Sequence, residues 1–429
     1  MPRRLLLLGD TTLDPLVRAL QESPEDPPLE VTAAPYGQVF QILMNPAHPV
    51  WEWKPDYLAV WTAPELTLPS FRAALRFEGV EAERVVGEAQ EFAVAVSRAA
   101  ERVRLAVVPS WILPAHERWV QSMTWRPNGI ARLLARANLA LAEAWSDERK
   151  ILMLDAAHWQ ASLSRPSHDP RMYAVAKVLY TPAMLQKAAA EIRAVLRGSL
   201  GRARKVVVCD LDNTLWGGIL GDEGVGGIRL GAPDPVGECF RSAQEALKAL
   251  RARGVLLAIC SKNDEKLALS AIDDHPGMVL RRRDLVAWRI NWNQKADNVR
   301  SLAAELNLGL DSFVFLDDSP EERDQVRALL PEVLVPEVPP SPAAIAPLIA
   351  TLDCFETVNL GAEDAGRTES YQAERSRRAA AKGNGGGGIE GWLSSLGLRL
   401  QASPLNDLSL PRAAQLLNKT NQFNLALRR

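Results

Sequence analysis

Apolar residues along this chain recur in two alternating rhythms. Short, largely apolar strand candidates stand at 5–8, 29–32, 57–61, 103–108 and 151–154. Between them lie longer stretches of helical spacing, at 12–21, 81–101 and 129–145. In the first of these, Leu13, Leu16, Val17 and Leu20 fall on one face. The same rhythm returns further on. Three valines at 206–208 read as a buried strand, with further strands predicted at 255–260 and 312–316. A helix over 235–254 turns Phe240, Ala243, Leu247 and Leu250 inward, and another after Lys295 carries Val299, Leu302 and Leu306. Strands alternating with helices imply parallel sheets covered on both faces. The expected fold class is therefore α/β, with two parallel-sheet, three-layer domains at 1–180 and 205–355. A helix within 181–204, with Leu185, Ala188, Ile192 and Leu196 on one face, links them. A polar, partly helical α+β extension fills 356–429.

Composition narrows the function classes. The 429 residues suffice for two or three domains, and 47% hydrophobic with 24% charged residues is ordinary for globular protein. With 50 basic and 52 acidic residues the formal net charge is −2, which gives bulk charge no part in binding nucleic acid or a membrane surface. The apolar run at 5–8 is too short for a secretory signal, and no run is long enough to span a bilayer. Cys209, Cys239, Cys260 and Cys354 have no CxxC or metal-ligand spacing. Reduced thiols in a cytoplasmic protein are the expected state. Six tryptophans between Trp51 and Trp125 read as core and loop packing.

The candidate chemistry begins where the valine strand ends. Asp210 and Asp212 follow it directly, with Thr214 two residues on. Carboxylates at the carboxyl end of a parallel strand can converge on a hard divalent cation, most simply Mg²⁺. Ser261, Lys262 and Asn263 stand at the end of the 255–260 strand, where a hydroxyl and helix-start N–H groups can hold a phosphoryl oxygen. The last strand runs into Asp317 and Asp318. The glycine-rich stretch 216–231 suits a lid over such a pocket.

Asp-x-Asp-x-Thr, the serine at a strand end, the lysine and the paired aspartates, in that order, resemble the four motifs of the haloacid dehalogenase-like phosphohydrolases. The resemblance implies that Asp210 attacks phosphorus and Asp212 serves as general acid and base. It also implies that Thr214, Ser261, Lys262, Asn263 and Lys295 hold the phosphate. Asp210, Asp212, Asp317 and Asp318 would then hold Mg²⁺. Lys295 would neutralise the phosphorane and the aspartyl phosphate.

DLDNTLWGG, CSKND, NW-x-x-K, LDD-x-P-x-ER and KTNQFNL at 419–425 together resemble the narrower FkbH-like branch. That resemblance implies loading of a glyceryl unit, or a related hydroxyacyl such as lactyl, onto the phosphopantetheine thiol of an acyl carrier protein in polyketide biosynthesis. The implied donor is a phosphorylated three-carbon acid, 1,3-bisphosphoglycerate. Ser319 stands where the branch has asparagine. Acyl transfer calls for a thiol: Cys260, beside Ser261, is the candidate and Cys209 the runner-up, while direct transfer to the carrier needs neither. The arginines at 361–378 read either as a contact for the carrier or as a solvated helix face, and the polar cluster Asn418–Gln422 either as a contact with the active site or the carrier arm or as helix-end capping. A plain Mg²⁺-dependent phosphatase is the alternative.

In the first domain, Gly9-Asp10-Thr11 after the opening strand and Asp155-x-x-His158 after the last resemble the SGNH hydrolases. Thr11 replaces the expected serine, and no Gly-x-Asn-Asp block is present. The expectation is a non-hydrolytic domain of that fold whose Asp10 and Thr11 cap the first helix.

Overall fold

The computed structural model describes residues 2–22, 27–114, 119–358, 361 and 366–373. The glycine run at 382–388, the arginines beyond 373 and the cluster Asn418–Gln422 lie outside the described residues. Contacts divide the chain into two compact units, Met1–Ser199 and Leu200–Arg429.

The first unit holds five parallel strands: β1 (Arg3–Gly9), β2 (Leu29–Ala33), β3 (Tyr57–Trp61), β4 (Leu105–Pro109) and β5 (Ile151–Leu154). Their order is β2-β1-β3-β4-β5. β3 and β4 are buried along their whole length, and strands buried on both faces need no polar alternation, which is why they read as apolar runs. Leu6, Leu8, Leu58, Val60, Ala106 and Val108 pack on one face with the helix Ala82–Ala100 through Val85, Phe92 and Val96. The helix Pro182–Ser199, expected as a link, packs inside this unit against the helix Asp14–Glu22. Its buried Arg193 donates to the carbonyls of Leu20 and Pro27. Of the early tryptophans, Trp61 stacks on Tyr180 with ring centroids 4.2 Å apart, and Trp111 donates to Thr62 Oγ1, whereas Trp125 is exposed.

The second unit holds four parallel strands: β6 (Val206–Cys209), β7 (Leu256–Ser261), β8 (Leu285–Ile290) and β9 (Phe313–Leu316), in the order β8-β7-β6-β9. Side-chain alternation sorts its core into two layers. Val207, Cys209, Leu257 and Ile259 pack with Phe240 and Leu247 of the helix Pro235–Ala252. Val206, Val208, Leu256, Ala258 and Cys260 pack with Ala296, Val299 and Leu302 of the helix Lys295–Leu306. Strand order reverses between β6 and β9, and a parallel sheet opens a crevice at the carboxyl ends of such a pair.

Candidate active site

Both strands flanking that crevice end in aspartate. Asp210 follows β6 and its backbone N–H donates to Leu316 O at 2.9 Å, so the two strand ends are tied at the level of the site. Asp317 and Asp318 follow β9. Lys295 opens its helix and reaches between them: Nζ lies 3.1 Å from Asp210 Oδ2 and 2.6 Å from Asp317 Oδ2. Asp210, Lys295 and Asp317 are all buried. Burial works against the lysine's charge, but Asp210 and Asp317 outweigh it and raise its pKa. Burial, then the charge of Asp210, pushes Asp317 up to about 7.

One carboxylate oxygen each from Asp210, Asp317 and Asp318 lies within 4.8 Å of the others. The span across an octahedral Mg²⁺ ion is about 4.2 Å, so a small hard cation fits these donors with little adjustment. Asp210 Oδ1 is buried and has no hydrogen-bond partner. An unmet carboxylate oxygen beside two more acids is a charge deficit that a cation or a phosphoryl group relieves.

Asp212 departs from the expected ligand set. Its side chain is outside the acidic cluster and is held instead by Trp216 Nε1 at 2.8 Å, Leu220 N at 3.1 Å and Asn263 Nδ2 at 3.0 Å. Burial, chiefly, raises its pKa. A carboxyl held by three donors beside the strand end that carries Asp210 suits proton transfer better than metal ligation. Asn263 thus contacts Asp212, and Lys262 pairs with Glu322 at 2.6 Å. Thr214 Oγ1 accepts from Asp318 N–H at 3.2 Å, tying the first motif to the fourth. Ser261 is buried at the end of β7, next to β6. At Ser319 the backbone N–H donates to Asp317 Oδ1 at 3.0 Å, while the hydroxyl accepts from Glu322 N–H at 3.3 Å and caps the helix Pro320–Leu329.

The thiol assignments are corrected by burial. Cys260 is fully buried, its Sγ faces Lys295 O at 3.8 Å, and burial pushes its pKa up to about 12. Cys209 is buried on the other face of the sheet, and burial raises its pKa as well. Neither is available as a thiolate near neutral pH.

The glycine-rich stretch is closed by an antiparallel bridge, Gly217 to Arg229, around one helical turn, Leu220–Glu223. Gly218 has φ +96°, a conformation that favours glycine. Sequence reasoning missed Trp216 as a partner of Asp212; its place four residues on, inside the same tight turn, was the available signal. In the first unit, Asp155 accepts His158's own backbone N–H at 3.0 Å and caps the helix Ala156–Ser162, and both residues are exposed while Thr11 is buried. Asp10 accepts from Ala63 N and Thr67 Oγ1, so it supports the turn after β3 rather than capping the first helix.

Fold and site together define an α/β protein of two parallel-only sheets, the second carrying a carboxylate–lysine centre where its strand order reverses. Neither a family model nor a curated protein matches the chain. Among solved structures it is similar to the N-terminal part of the protein BF1531 from Bacteroides fragilis, which contains a phosphatase domain and was crystallised with Mg. The identity is 28%, the TM-score 0.75, and the match covers 84% of this chain and 95% of that one.

Proposed function

We propose that this chain is a Mg²⁺-dependent phosphohydrolase acting through an aspartyl phosphate. The observation that carries the reading is Asp210 Oδ1, buried and unpartnered, with Lys295 bonded to the other oxygen of the same carboxylate. Likeness to a Mg-bound phosphatase-domain structure supports it. Asp210, Asp317 and Asp318 would hold the cation, which when bound draws negative charge from the phosphoryl oxygens. Asp210 attacks phosphorus as the bond to the ester oxygen breaks, and Asp212 gives that oxygen its proton. Asp212, now a carboxylate, takes a proton from water, and the resulting hydroxide releases phosphate from Asp210. Lys295 balances the charge that gathers around phosphorus.

The finer reading rests on the FkbH-like motifs. In it the substrate is 1,3-bisphosphoglycerate, whose ester phosphate is removed here and whose acyl group passes to the phosphopantetheine thiol of an acyl carrier protein, the acyl phosphate's C–O bond breaking to release inorganic phosphate as the thioester forms. With both pocket-side cysteines buried, direct transfer to the carrier thiol is the form of that reading consistent with the site.

Phosphate release from small phosphomonoesters tests the coarser reading. Asp210→Asn should lower it by roughly 10⁴-fold or more, and chelation of Mg²⁺ should stop it. Wild-type turnover in Asp210→Asn would remove the nucleophile and the reading with it.

A further inference from the structure

We propose that Arg323 is a positioning residue for the cation half of the site, clamping the backbone from which Asp317 and Asp318 project. The inference rests on reading Asp210, Asp317 and Asp318 as ligands of one divalent cation. Arg323 lies in the first turns of the helix Pro320–Leu329 and is buried, whereas Glu321 and Asp324 of the same helix are exposed. Its Nη1 donates to Asp317 O and to Asp318 O, both at 2.8 Å. Its Nη2 donates to Glu337 Oε2 at 3.0 Å, and Arg327 holds the other oxygen of that carboxylate. The remaining Nε is buried without an acceptor, a cost borne while both carbonyls are kept.

The opposite side of the same turn is fixed independently. Thr214 Oγ1 takes the N–H of Asp318, and the N–H of Ser319 reaches Asp317 Oδ1. The guanidinium therefore holds the carbonyls of both aspartates, while Thr214 holds the peptide N–H between them. Adjacent carboxylates repel, and a turn free to rock would swing one of them away from the cluster. Ligand groups need holding to within about 0.5 Å for tight binding. Nη1 meets both carbonyls while Nη2, held by Glu337, fixes the plane of the guanidinium; an ammonium has no second nitrogen to be anchored in that way.

Isothermal titration of the full chain with MgCl₂ tests the role, alongside thermal melting. Arg323→Met should weaken Mg²⁺ binding by roughly 10–100-fold, the range seen when residues supporting metal ligands are removed. Arg323→Lys should fall between Met and wild type, and Glu337→Gln should give a smaller shift of the same sign. Wild-type Mg²⁺ affinity in Arg323→Lys overturns the proposal, whether or not Arg323→Met folds. So does a variant whose melting temperature drops while its affinity stays unchanged. A wild-type chain that takes up no Mg²⁺ overturns the cation reading beneath it, a result distinct from wild-type uptake with indifferent variants.

Discussion

Lys295 holds two acids that would otherwise face each other unscreened. Its ammonium is buried and bonded to both Asp210 and Asp317. Removing one member of a buried charge network leaves the others uncompensated, at about 3–5 kcal/mol. Lys295→Met should therefore lose roughly that much stability in chelator, read by urea unfolding, and regain part of it when Mg²⁺ is added. Equal stability of variant and wild type in chelator would mean that the lysine does not balance the acids. Asp10 in the first unit shows the same physics with the opposite sign. Burial raises its pKa to about 7, and the bonds from Ala63 N–H and Thr67 only partly offset this. The folded chain keeps that proton at pH values where the unfolded chain has released it. The group's contribution is therefore full below about pH 4 and is lost as pH rises through about 7. Between pH 5 and pH 8, Asp10→Asn should gain stability relative to wild type; a constant difference would refute the assignment.

At the scale of the element, what could be read from the chain depended on how each strand is covered. β3 and β5 were expected at 57–61 and 151–154, and these are their bounds: β3 is buried along its whole length, and β5, though a half-buried edge strand, is apolar at every position. β8, Leu285–Ile290, was missed. It is an edge strand whose half-buried Trp288 and Arg289 reach polar partners, Glu265 and Ser301, so the run reads as broken. β7 explains the misplaced thiol: the core layers alternate along it, and Cys260 belongs with Val206 and Val208 under the helix Lys295–Leu306. Alternation alone could have placed it there. The donors to Asp212 were harder to foresee, since Asn263 and Trp216 are 47 positions apart. Asp155 offers an element-scale test. If it is a helix cap and nothing more, Asp155→Ala should cost about 1 kcal/mol in urea unfolding. Phosphate release should stay at the wild-type rate.

For the whole molecule, the similarity to a phosphatase-containing structure covers 84% of the chain, more than either unit alone makes up. Likeness of fold does not by itself choose a substrate. The choice between a phosphatase and an acyl-loading enzyme turns on where the acyl group goes after phosphate leaves, and the burial of Cys260 makes that question sharp. A thiol raised to about 12 cannot accept an acyl group near neutral pH at a useful rate. If loading occurs, it should survive Cys260→Ala, at a stability cost of about 1–2 kcal/mol for the small void left behind. The measurement is the intact mass of a phosphopantetheinylated acyl carrier protein after incubation with the full chain, Mg²⁺ and 1,3-bisphosphoglycerate. Wild type and Cys260→Ala should add the same hydroxyacyl mass to the carrier. Loss of that mass only in the folded variant would restore the cysteine to the mechanism. Phosphate release with an unmodified carrier would leave hydrolysis as the whole of the chain's chemistry.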